Sequence, residues 1–159
     1  MDKIENRPVV IWHVDEVFIN AMNTQWYLWN VVDQRSKCLA IYLSLHRDML
    51  SAISALRLAK EFASQIPDIV VSDYYPAYPK AIRKALGRKV MHAQAHFEPV
   101  IVRHQGIVMT LTNNRIEGFN SWLRERVTIL HGFKNDYYME KYLEGFQKVW
   151  NRKFFMIYH

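Results

Sequence analysis

The sequence predicts an α/β domain built on a mixed sheet, three antiparallel strands followed by parallel ones, flanked by helices. Three observations carry that expectation. Apolar, β-branched runs separated by short polar breaks fill the chain up to Asp48; the spacing then turns helical; short strands and helices alternate after it. With 159 residues, half of them hydrophobic, the chain is long enough to bury one sizeable core, so residues 1–159 are expected to form a single domain.

The first run, PVVIWHVDEVFI (8–19), reads as a buried strand interrupted by two acids, Asp15 and Glu16. TQWYLWNVVD (24–33) and SKCLAIYLSL (36–45) follow as strands joined by the polar turn DQRS, which suggests a meander. From Asp48, a plausible N-cap, Met49, Ala52, Ile53, Leu56, Ala59, Ala63 and Ile66 recur at helical spacing until Pro67. DIVVSD (68–73) is then a short strand ending at Asp73, and YYPAYP is a proline-rich turn. KAIRKALG is a short helix closed by Gly87, and RKVMHAQA a further core strand, with the later strands parallel to the first. Residues 98–112 suit either a strand pair or a covering loop. A helix over Asn114–Leu130 buries Ile116, Phe119, Leu123, Val127 and Leu130, with Glu117, Asn120, Ser121 and Arg124 along a neighbouring polar edge. A last helix, about Asp136–Lys153, carries Met139, Tyr142, Leu143, Phe146, Val149 and Trp150 on one side.

The balance of 21 basic against 15 acidic residues gives a net charge of +6, which favours an anionic partner without identifying it. A single cysteine, Cys38, excludes an internal disulfide and a cysteine-rich metal site and fits a reducing compartment. The opening residues carry no apolar leader and no run reaches the ~20 residues of a membrane span, so a soluble, cytoplasmic protein is expected.

Three acids stand out: Asp15 mid-strand, Asp73 at a strand's carboxyl end and Glu117 at the start of a late helix. If the first and fourth strands are neighbours, the first two converge at a topological switch point, where open α/β sheets place their sites, and a helix over that crevice can supply the third. Each acid alone has an ordinary explanation as an edge residue, a turn cap or a first-turn acid. Crowded together, they are tolerated mainly with a cation, and hard oxygen ligands suit Mg²⁺ or Mn²⁺. Two such ions can drive in-line phosphoryl displacement.

WHVDEVFI, WYLWNVVD, VSDYYPAYPKAI, NNRIEGFNSWLRER and LHGFKN, in that order over about residues 8–135, resemble the successive blocks of DDE-type insertion-sequence transposases. The resemblance implies a ribonuclease H-like, integrase-like catalytic core. It also implies Asp15, Asp73 and Glu117 as the metal-binding triad, two metal ions, DNA element ends and target as partners, and a dimer or larger assembly on DNA in a prokaryotic, nucleoid-associated setting. Two features depart from the pattern. The stretch between Asp73 and Glu117 is longer than usual, and about fourteen residues precede Asp15 where relatives usually carry a recognition segment. No separate amino-terminal recognition domain is therefore expected, and a truncated, non-catalytic DNA-binding or regulatory derivative stays open beside a structure-selective nuclease.

Lys80, Arg83 and Lys84 share a helix face, with Arg88 and Lys89 following, and Arg115, Asn120 and Arg124 lie on the Glu117 helix; together these are the expected DNA contacts. His13 shares a strand face with Asp15. His92 and His96, four apart, do not converge on one ion if they lie on a strand. Trp122 is a candidate for base stacking, and Gly118 inside a helix implies either a close neighbour or passing DNA.

Overall fold

The computed structural model describes residues 7–129 and 135–158. Three strands open the chain, β1 (Ile11–Ala21), β2 (Thr24–Asp33) and β3 (Cys38–Ser44). They are followed by α1 (Met49–Ala63), β4 (Ile69–Ser72), α2 (Tyr78–Leu86) and β5 (Met91–Gln94). A hairpin, β6 (Val100–His104) and β7 (Ile107–Leu111), precedes α3 (Asn114–Ile129) and α4 (Asp136–Tyr158). The five-stranded sheet has the order β3-β2-β1-β4-β5, antiparallel through β1–β3 and parallel through β1, β4 and β5. This is the expected mixed sheet.

Alternation along β1 divides the core between two faces. Trp12 and Val14 join Trp29, Leu56, Tyr78 and Ile82 beneath α1 and α2. Val17, Ile19 and Ala21 join Leu28, Ile116, Phe119 and Leu123 beneath α3 and α4. The hairpin lies on the β4–β5 half of the second face, with Leu111, Val102 and Met109 against Ile69, Val71 and Ala93. Residues 98–112, open between two readings, are thus a strand pair. Gln105 and Gly106, both at positive φ (50° and 77°), make the two-residue turn whose twist suits a hairpin.

Asp48 caps α1 by accepting from the Ser51 amide at 2.9 Å. The helix stops at Ala63 with Ser64 left-handed (φ 54°), earlier than Pro67 would require. Ile66, expected in the buried stripe, therefore lies beyond the helix and is 42% exposed. On α4, Met139, Leu143, Phe146 and Trp150 are buried, but Val149 points outward and is 55% exposed. Leu130 and most of the LHGFKN block lie outside the described residues.

The outer border of β3 is capped by α4 at Cys38, the first residue of the strand. The Asn151 amide accepts from the Cys38 N–H (2.8 Å) and donates to the Cys38 carbonyl (3.0 Å), and Gln147 donates to the same carbonyl (3.1 Å). Phe119 holds α3 to α4. Its fully buried ring meets Phe146 and Trp150 edge-on, at 5.8 and 5.1 Å between centroids. Phe119→Ala is expected to destabilise the protein by about 3–5 kcal/mol, read from urea unfolding.

Candidate active site

β1 runs eleven residues and β4 only four, and the two pair just at Ile11–His13 and Ile69–Val71. Beyond Val14 the β4 side of β1 is therefore unpaired, and Asp73, the first residue past β4, stands at the mouth of that crevice. The chain leaves β1 toward β2 on one side and leaves β4 toward β5 on the other, so this is the switch point of the sheet. Asp15, Glu16 and Asp73 each bring a carboxylate oxygen to within 4.8 Å of the others.

The three acids are held differently. Asp15 lies on the α3 face, where the Asn120 amide donates to its Oδ2 at 3.0 Å; Asn30 in turn donates to Asn120 Oδ1 at 2.8 Å. Burial, followed by the nearby charges of Glu16 and Asp73, pushes the Asp15 carboxyl up to about 7. Asp73 accepts the Tyr75 N–H at 2.9 Å, a turn that fixes its carboxylate just after the strand. Glu16, one residue from Asp15, points to the opposite face. There Arg47 pairs with its Oε1 at 2.6 Å and the Tyr78 hydroxyl donates a short bond to Oε2. Burial raises Glu16, while Tyr78 and Arg47 oppose that rise. The three acids therefore differ in countercharge: Glu16 has a cation, and among the described residues no ion pair reaches Asp15 or Asp73.

Glu117 is exposed in the first turn of α3, and the carboxylates grouped with Asp15 and Asp73 include Glu16 rather than Glu117. It stands three residues, one helical turn, before the Asn120 that touches Asp15.

The family model described as a DDE domain, of the IS240 type of transposase, matches residues 9–153. The chain belongs to this DDE domain family. No curated protein sequence matches it. Among solved structures, the trimeric form of the HTLV-2 integrase catalytic core domain with magnesium superposes with a TM-score of 0.55 at 16% identity, covering 82% of this chain and 80% of that one. The simian T-cell lymphotropic virus intasome with the PP2A regulatory subunit B56 gamma gives 0.55 at 20% identity, over 79% of this chain and 44% of that one. The dimeric HTLV-2 core gives 0.47 at 19%, over 53% and 59%. The chain thus spans less than two thirds of two of these three chains. The fold of this DDE domain is that of the integrase catalytic cores, ribonuclease H-like.

Around the acids of the DDE domain, the expected DNA contacts separate into two groups. Lys80, Arg83, Lys84, Arg88 and Lys89 are exposed on and after α2, as is Arg124 on α3. Arg115 is exposed but donates to Ser36 Oγ at 3.2 Å. Asn120 is a correction: it is 5% exposed, and its amide bonds Asp15 and Asn30 rather than lining a surface edge. His13 is buried beside the site with Nδ1 unpartnered, and burial followed by Arg115 lowers it to about 4, so it stays neutral. His92 bonds Ser72 while the exposed His96 rests on Phe97, so the two do not converge. Trp122 packs on Phe146 and Trp150, with Arg126 and Lys153 over its ring at 4.9 and 5.1 Å. A Cβ on Gly118 would meet nothing within 4 Å, which removes the close-neighbour explanation.

Glu16, Tyr78, Arg47 and Asn30 were not singled out from the sequence. The signal for Glu16 was its adjacency to Asp15, since alternation must send one of the two acids to the α2 face, where PAYP supplies Tyr78.

Proposed function

We propose that this DDE domain is a metal-dependent polynucleotidyl transferase that cuts DNA at an element end and joins the freed end to a target. The observation that carries the reading is the pair Asp15 and Asp73, drawn together at the sheet's switch point with no ion pair to either among the described residues. Their oxygens are the hard donors Mg²⁺ or Mn²⁺ require, and the raised Asp15 carboxyl is what a site built for a cation shows without one. Bound there, one or two such ions would activate an oxygen nucleophile and stabilise the leaving oxygen of an in-line displacement.

Within that reading Asp15 and Asp73 are the ligands and Asn120 positions Asp15. Glu117, exposed one turn ahead of the Asn120 that bonds Asp15, is the third ligand. Glu16 is already neutralised by Arg47 and Tyr78 and shapes the opposite wall. Attack of water on a phosphodiester would release a 3′-hydroxyl, and that hydroxyl would attack a target phosphodiester in turn. The exposed basic residues of α2 supply the DNA backbone contacts. The trimeric form and the intasome among the similar structures support assembly of several copies on DNA. Among the described residues no helix is long and apolar enough to cross a membrane.

The test is strand transfer from a 3′-hydroxyl donor oligonucleotide to a plasmid, in Mg²⁺ or Mn²⁺, comparing the wild type with Asp73→Asn and Glu117→Gln. Joined products from the wild type, reduced at least a hundredfold in both variants, are expected. Cutting without joining would favour a nuclease, and DNA binding with neither would favour a regulatory derivative. Undiminished joining by Glu117→Gln would remove Glu117 from the ligand set.

A further inference from the structure

We propose that the hollow between α2 and β5 is a phosphodiester site that seats the DNA backbone along α2. This inference rests on DNA being the substrate and adds where one strand is held. The hollow has a volume of about 590 Å³ and is lined by Pro79, Ile82, Arg83, Gly87, Arg88, Val90 and His92. No acid lines it. Among the described residues neither Arg83 nor Arg88 takes part in an ion pair. Gly87, at φ 96°, leaves the space above its Cα open, so two guanidinium forks and an imidazole surround an unfilled recess. Planar guanidinium groups pair bidentately with phosphate oxygens, which makes two of them in one hollow a fit for a phosphodiester rather than for a carboxamide or sugar.

The floor of the hollow ties it to the acid site. His92 lies across from Val70 in the β4–β5 ladder, and its Nε2 is 2.6 Å from Ser72 Oγ. The Ser72 hydroxyl donates to the Asp73 carbonyl at 2.8 Å. A hydroxyl has one hydrogen, so Ser72 accepts from His92 and the ring presents Nε2–H to it; Nδ1 donates to a phosphate oxygen only when a bound phosphate holds the ring protonated. His92 is thus two hydrogen bonds from the backbone of Asp73, while Arg88 and Gly87 lie past the carboxyl end of α2, toward the start of β5, so the hollow runs along α2 away from the acids. A DNA strand running from the acids along α2 would lay a phosphate in this recess.

The experiment measures binding of an end-labelled DNA oligonucleotide by fluorescence anisotropy across a salt series. It is done in EDTA, where no strand is cut. Arg83→Gln with Arg88→Gln is expected to flatten the log Kd against log salt slope by about 1 to 2, and Lys80→Gln with Lys84→Gln, an equal charge loss on the same helix outside the hollow, by clearly less. In parallel, a dinucleotide carrying one phosphodiester should move the ring resonance of His92 in the wild type and not in the arginine variant. Equal weakening by both pairs would show a diffuse basic face and overturn the pocket, as would a His92 resonance that ignores the dinucleotide. A His92 shift produced by inorganic phosphate and not by the dinucleotide would make the hollow a free-anion site and overturn its assignment to DNA. A protein that passes both tests yet joins no strands keeps the pocket and loses the transferase reading.

Discussion

Asp15→Asn is expected to raise the melting temperature of the protein in EDTA at pH 8 and to abolish its stabilisation by Mg²⁺. In the folded chain burial and the neighbouring acids lift this carboxyl from an ordinary 3.8 to about 7. The sign follows from proton counting. Between those two values the folded state holds a proton that the unfolded state has released, so stability is full below about pH 4 and is lost as pH rises through 7. The loss amounts to up to about 4 kcal/mol at pH 8, if the whole displacement is realised. Asparagine matches the shape of the acid and can still accept from Asn120 while carrying no charge. The variant should therefore melt several degrees higher at pH 8 and differ little at pH 4. Saturating Mg²⁺ should stabilise the wild type by mass action, about 2.7 kcal/mol at a hundred times its Kd, and leave the variant unmoved. Calorimetry in EDTA and in Mg²⁺ at both pH values decides it, and an Mg²⁺ response that survives in Asp15→Asn would rule the residue out as a ligand.

Arg47→Met should cost about 3 kcal/mol, more than any ordinary surface ion pair contributes. The Glu16 side chain is only 6% exposed, and Arg47 reaches it through both Nε (2.7 Å) and Nη2 (2.6 Å) while lying 4.0 Å over the Tyr75 ring. Removing the guanidinium leaves a buried carboxylate facing two others, with Tyr78 alone to bond it. Adding Glu16→Gln to the same chain removes the stranded charge and should restore most of the loss. The two unfolding curves in urea form half of a double-mutant cycle. A cost below 1 kcal/mol for Arg47→Met would mean that water, not Arg47, solvates Glu16.

The meander, the crossover helix and Asp73 at a strand end were legible because each rests on local periodicity. Period two carries β1 to β3, period 3.6 carries α1, and a short apolar run closed by an acid carries β4. Asn120 was not legible. A helix-edge amide reads as a solvent group until Asn30, ninety residues earlier in the chain, is known to lie opposite it. Val149 and Ile66 misled for a related reason: apolar character places a residue on a stripe but does not say how wide the packed surface is or where the helix stops. Residues 98–112 were ambiguous because both hairpin faces are apolar. Val102 and Met109 are packed, while Ile101 (72%) and Val108 (58%) face outward. The position of Glu117 on its helix was legible, and its side-chain direction was not.

The Asn151 amide that meets both polar groups of Cys38 acts as a surrogate peptide unit, standing where a sixth strand would have placed its own backbone. The sheet edge is thus capped at Cys38 by a side chain from α4, more than a hundred residues downstream. During synthesis that border stays open until the ribosome has released the chain through Asn151. The meander emerges early, yet its protection at Cys38 from pairing with another nascent copy waits for a residue more than a hundred positions downstream.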